Sequence, residues 1–133
     1  MVHYQNSYIF GKQQEEKVLP IINEYFKKTI SPYPQRYSKY DFFDEDGTNY
    51  ELKSRQNKMA SYPDTMITLN KMSTDSTLIL LFNFTDCLSY IAFEPSLFKT
   101  FRTSSFSRAG ITADEKEHIF IPIGMLTVIK YYV

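Results

Sequence analysis

One stretch of the chain constrains its fold more than any other: Asp41-Phe42-Phe43-Asp44-Glu45-Asp46-Gly47-Thr48-Asn49-Tyr50-Glu51-Leu52-Lys53. A run rich in aromatic residues, 37–43, and a mixed run, 48–55, flank an acidic turn that ends in glycine, the pattern of a β-hairpin. Side chains alternate faces along a strand. Tyr50 and Leu52 therefore share one face, and Asn49, Glu51, Lys53 and Arg55 the other. On the first strand Tyr40 and Phe42 share a face, opposite Lys39, Asp41 and Phe43. A slip of one residue would send every side chain to the wrong face. A three-residue loop, 45–47, with Gly47 left-handed pairs Asp44 with Thr48, Phe42 with Tyr50, Tyr40 with Leu52 and Asp41 with Glu51. Apolar then meets apolar and polar meets polar. A two-residue Asp46-Gly47 turn sets apolar against polar and is excluded.

In that register Asp41, Glu51 and Lys53 converge on one face of one hairpin. Like charges so placed repel, and each loses hydration inside a cleft. A divalent cation relieves both problems, and oxygen-only ligands suit magnesium or manganese rather than zinc. Lys53 beside them can hold an attacking water or a phosphate oxygen, which suits the set to metal-assisted phosphodiester hydrolysis. The bare pattern acid-x-Lys says little, because it also occurs at 15–17 and 114–116. Only the copy at 51–53 lies on an expected strand with a register-matched Asp opposite. The same residues also compose a solvated hairpin face with a cross-strand ion pair, and spacing alone leaves both readings open.

Upstream, residues 7–29 read as a helix, with Val18, Leu19, Ile22, Tyr25 and Phe26 at helical spacing. Pro20 falls on the solvent side, where a kink is tolerable. At about 100° per residue, Glu15 falls within the stripe of Leu19, Ile22 and Phe26, whereas Glu16 lines up with Asn23 and Lys27 on the wet face. Gly11, one turn earlier, would admit a neighbouring group. A carboxylate on a core-facing stripe needs a partner; a metal site in the adjacent sheet supplies one, and water at the stripe's open end supplies another. Downstream, Tyr62-Pro63-Asp64 is expected to open a second helix reaching about Met72. Residues 77–84 and 88–93 read as another hairpin, 94–101 as a short helix, 99–108 as a polar basic loop, 118–123 as a strand and 124–132 as a last helix. Such mixing argues for an α/β or α+β architecture.

The chain's 133 residues amount to one domain. With 15 basic and 15 acidic side chains the net charge is zero, which excludes an indiscriminate basic coat. A neutral protein that meets a polyanion must gather its positive charge locally. Candidates are Arg55 and Lys58 after the hairpin, and Lys99, Arg102 and Arg108 within 95–113, a stretch without an acid. A mobile polar loop is the alternative reading of that stretch. An aromatic content of 17% excludes a disordered chain. The single cysteine, Cys87, excludes a disulfide framework and a cysteine-built zinc site. Its pairing with His118 as a nucleophile carries no signature, so both read as structural. An EF-hand loop with Gly47 sixth would begin at Phe42, which cannot ligate calcium. The first residues lack the basic start and apolar run of a signal peptide, and the longest apolar stretch, 78–82, is far short of the roughly 20 residues that cross a bilayer. An intracellular protein, cytoplasmic or nuclear, with no membrane attachment is expected.

The order helix-Glu15, strand-Asp41, hairpin, strand Glu51-x-Lys53, helix, strand, over residues 8–84, resembles the PD-(D/E)XK nuclease superfamily, the restriction-endonuclease-like fold. The region His118-Ile119-Phe120-Ile121-Pro122 is similar to that family's closing strand, and Tyr40 stands where the motif carries proline. The resemblance implies a single domain with a central mixed β-sheet flanked by helices in αβββαβ order. It implies Asp41 and Glu51 as metal ligands, Lys53 as the catalytic lysine, and Glu15 as an accessory acid. The implied activity is hydrolysis of phosphodiester bonds by a metal-activated water, with magnesium or manganese as cofactor and DNA ahead of RNA as substrate. A domain this small has little room for sequence readout, so a homodimer or a larger complex is expected. A catalytically inactive nucleic-acid-binding or scaffold module on the same fold is the alternative.

Overall fold

The computed structural model describes residues 2–35, 37–72, 77–106 and 116–133. Helix α1 (Val2–Phe26) leads into β1 (Ile30–Pro32), β2 (Phe42–Asp44) and β3 (Asn49–Ser54). Then come β4 (Asp64–Thr68), β5 (Leu78–Asn83), β6 (Cys87–Ala92), a single helical turn α2 (Pro95–Phe98), β7 (Thr103–Phe106), β8 (Lys116–Pro122) and β9 (Thr127–Tyr131). Six strands form one sheet in the order β1-β2-β3-β5-β6-β9, and three form a second in the order β4-β8-β7. The larger sheet is mixed: β3 runs parallel to β5, and its other pairs are antiparallel.

Two apolar layers hold these pieces together. On one face of the large sheet, Val18 and Ile22 of α1 pack with Phe42, Tyr50, Leu81 and Leu88. On the other, Leu80, Phe82, Cys87 and Ile91 meet Ile67, Ile119 and Ile121 of the small sheet. Strand β5 lies between both layers, which is why Leu78-Ile79-Leu80-Leu81-Phe82 is apolar without alternation. The α+β class and the mixed central sheet match the expectation from sequence; a second sheet, not a second large helix, covers the far face.

Several elements differ from the sequence reading, among them the first hairpin strand, expected over 37–43 and formed only at Phe42–Asp44. The expected helix from Tyr62 to Met72 is strand β4, set between single turns at Met59–Ser61 and Leu69–Lys71. Its burial alternates, with Thr65 and Ile67 inward, and β-branched side chains favour that geometry over the helix which Pro63-Asp64 signals. The expected last helix over 124–132 is a turn, Ile123–Met125, followed by β9, whose Thr127-Val128-Ile129 is β-branched throughout. The expected loop over 99–108 contains β7, where Ser104 pairs with His118 of β8; its polarity reflects an edge strand. Helix α1 ends three residues before the expected Thr29, because Lys27 adopts a left-handed φ of 55°.

Candidate active site

The hairpin is built as its register requires. Gly47 has φ 85°, the Asp44 amide donates to the Thr48 carbonyl at 3.0 Å, and Phe42 pairs with Tyr50. Asp44 locks it, a role the sequence reading did not assign. It is 4% exposed and accepts from the amides of Asp46 (2.9 Å) and Thr48 (3.0 Å) and from the Tyr50 hydroxyl (2.7 Å). Burial pushes its carboxyl up, but these three bonds outweigh that and hold it below the usual aspartate range. An Asp opening a turn that closes on Gly is the signal for such a self-capped loop.

Ladder pairing ends at Phe42, and Asp41 turns that end into part of a site. Its amide donates to the Tyr50 carbonyl at 3.0 Å, and its carbonyl accepts from the Tyr33 amide at 3.1 Å. Its carboxylate oxygen Oδ2 then accepts from the Leu52 amide at 2.7 Å. A side chain thus stands where a ladder carbonyl would. The chain bends over residues 39–41, so strict alternation fails there. Tyr40, expected beside Phe42, packs instead with Leu80 and Phe82 on the opposite face.

Strand β3 keeps its expected faces. Tyr50 and Leu52 pack under α1, whereas Glu51 lies level with Leu80 and Lys53 with Phe82. Glu51 is 3% exposed, and its Oε2 lies 3.3 Å from the Lys53 ammonium, which is 31% exposed. Burying a carboxylate costs several kcal/mol, and an ion pair to a partly exposed lysine does not by itself reliably restore that.

Glu15 reaches the same end of the sheet from the helix side. It lines a cavity of about 250 Å³ with Gly11, Lys12, Tyr33, Tyr40 and Asp41. Burial, and then the charge of Asp41, hold its carboxyl above the usual range, and Lys12, at 3.5 Å, draws it part of the way back. Glu16 is exposed, as helical phase requires. Gly11 does not serve a close approach: a Cβ there would meet nothing, and its space belongs to the cavity. The three acids therefore do not stand together: Glu15 and Asp41 share the cleft, whereas Glu51 is paired with Lys53 and does not line it. Among the described residues no three acids, histidines or cysteines form one metal-sized group. Magnesium commonly takes only one or two carboxylates and completes its shell with water and substrate phosphate, a requirement for which the two acids of the cleft, Glu15 and Asp41, would suffice.

The cations separate into two places. Arg55, on the Glu51 face, donates to the Met66 carbonyl (2.6 Å) and the Thr65 hydroxyl (3.3 Å), and burial lowers its pKa. Arg102 lies 3.8 Å from the centre of the Phe120 ring and 3.5 Å from the Asp64 carboxylate. Lys58 is exposed between Asn57 and Met59. Lys99 borders a different cavity, of about 360 Å³, with Leu69, Phe93 and Phe101, and Arg108 lies outside the described residues. Cys87 is fully buried, and burial pushes its thiol up, away from the reactive thiolate. No helix among the described residues is long and apolar enough to cross a membrane. Comparison with protein-family profiles, with curated proteins and with solved structures finds no match.

Proposed function

We propose that the chain is a metal-dependent nuclease of the PD-(D/E)XK kind that hydrolyses phosphodiester bonds in DNA inside the cell. One observation carries this reading: Glu51 is kept 3% exposed beside Lys53, on a strand whose Leu52 amide holds the Asp41 carboxylate. A leucine there would pack against Leu80 without the desolvation penalty. A charge retained at such a place calls for a use. Asp41 and Glu51, with Glu15 from the helix, are the residues that would hold magnesium or manganese. Such an ion acidifies a water and offsets the charge that develops on the phosphate. Lys53, an ammonium partly exposed beside Glu51, would hold a phosphate oxygen or orient the attacking water. The Leu52 amide fixes the Asp41 carboxylate, so that its orientation survives without substrate.

The separation of Glu51 from the cleft acids Glu15 and Asp41 favours a second reading, an inactive nucleic-acid-binding module on the same fold. A cleavage panel separates the two. Single-stranded, duplex, branched and RNA substrates are incubated with magnesium, manganese, calcium or a chelator. The nuclease reading expects cleavage of DNA with the first two ions and little with calcium, which coordinates too loosely to align the attack. Binding without cleavage under every condition would leave the module.

A further inference from the structure

One pocket has Arg55 in its wall and Arg102 packed on the lining residue Phe120, and the acids of the proposed active site take no part in it. The cavity, of about 260 Å³, lies where β3 leaves the large sheet, bounded by β4 and β8 of the small one. Arg55, Asn57, Tyr62, Thr65, Phe84 and Phe120 are among its walls. Arg55 is held in place from β4 by Thr65 and Met66, its guanidinium 5.8 Å from the Phe82 ring centre. Arg102 stacks on Phe120, and its partner Asp64 also lines the cavity, so that carboxylate is already balanced. Lys58 is exposed on the loop between two lining residues, Asn57 and Met59. Tyr62 is 62% exposed at the rim, a large ring with little cover.

Aromatic faces, fixed arginine planes and a few amide and hydroxyl groups are what an unstacked base uses, the rings for stacking and the polar groups for its edge. The surrounding positive charge matches the phosphates on either side of that base. A paired base inside a duplex cannot enter such a cavity; it must be single-stranded or turned out of the helix. Arg55 follows Lys53 by two residues, just past the end of β3, about 7 Å further along the chain. We infer that this pocket takes the base of an unpaired nucleotide next to the phosphate being cut, so the substrate is single-stranded, or carries a single-stranded end or flap at the cut. The inference names the substrate class of the proposed nuclease and rests on that reading for the word "cut", but not for the binding.

The test is run in chelator, where no cleavage occurs. Binding of a single-stranded oligonucleotide containing 2-aminopurine, its RNA counterpart and a blunt duplex is followed by anisotropy and by base fluorescence. The wild type should bind the single strands more tightly than the duplex and quench the 2-aminopurine. Tyr62→Ala, at an exposed position, should weaken single-strand binding by roughly 5- to 100-fold, the range of one lost stack, relieve the quenching and leave duplex binding unchanged. Arg102→Ala should weaken binding and flatten its salt dependence by about one contact. The DNA and RNA arms decide between those two sources of the base. A protein that shows these effects in chelator yet cleaves no substrate with magnesium or manganese retains the pocket and loses the nuclease reading. Equal affinity for duplex and single strand, or a Tyr62→Ala variant that binds and quenches like the wild type, overturns the inference.

Discussion

Each buried acid of the hairpin answers a different physical question. Asp44 is structural: three donors converge on it, and the loop closes around it. Removing them by Asp44→Ala should destabilise the fold by about 2–4 kcal/mol, read from the denaturant midpoint. Its folded pKa lies below the ordinary aspartate value. Its contribution is therefore present above about pH 4 and is lost as the pH falls through the lowered value. Unfolding measured against pH should show this acid limb in the wild type and lose it in Asp44→Asn. Glu15 and Glu16 test helical phase. Glu15→Gln should weaken magnesium binding, followed by calorimetry, whereas Glu16→Gln, on the exposed side, should not. Equal effects of the two would dissolve the link between the helix and the cleft. The shared face of Glu51 and Lys53 was legible from strand alternation, whereas Asp41 lies past the end of the ladder, where the chain bends and alternation no longer applies. Asp44 was not singled out, because its partners are backbone amides and a tyrosine hydroxyl, which no charge pattern announces.

Among the elements, the first hairpin was the most legible, since turn chemistry and face matching independently gave one register. Gly47 carries the turn at φ 85°, where a Cβ costs roughly 1–2 kcal/mol. Gly47→Ala should lower the unfolding midpoint accordingly, although nothing crowds that position; an unchanged midpoint would mean that the loop has another conformation. The hairpin of β5 and β6 was legible from its apolar runs. Strands β4, β7 and β9 were not. Each owes its state to a partner distant in sequence: β4 to β8 (Thr65↔Ile121), β7 to β8 (Ser104↔His118) and β9 to β6 (Leu88↔Lys130). Local signals such as Pro63-Asp64 favoured a helix, and non-local pairing overruled them. Glu15 was legible as a core-facing acid, but its share in a cleft with Tyr33 and Tyr40 depends on the chain bending out of β2, which pattern alone does not reveal.

At the scale of the molecule, three layers explain why the proposed chemistry lies where it does. Helix α1 covers one face of the mixed sheet and the small sheet covers the other. Glu51 and Lys53 belong to the face under the small sheet, Glu15 to the helix, and Asp41 to the sheet's frayed second strand, where the two sides meet. Net neutrality leaves the positive charge to be concentrated, and Arg55, Lys58 and Arg102 gather beside a single cavity. The central claim is that Glu51 is kept for chemistry against the interest of stability. Its most direct test measures cleavage and unfolding of the same Glu51→Gln and Glu51→Leu proteins. Lys53 is partly exposed and can turn its ammonium to water when its partner is gone. Both variants are therefore expected to unfold at or above the wild-type denaturant midpoint, while their magnesium-dependent cleavage of DNA falls by at least about 10²-fold. Variants that cleave at the wild-type rate, or that lose their activity only by losing their fold, would contradict the account.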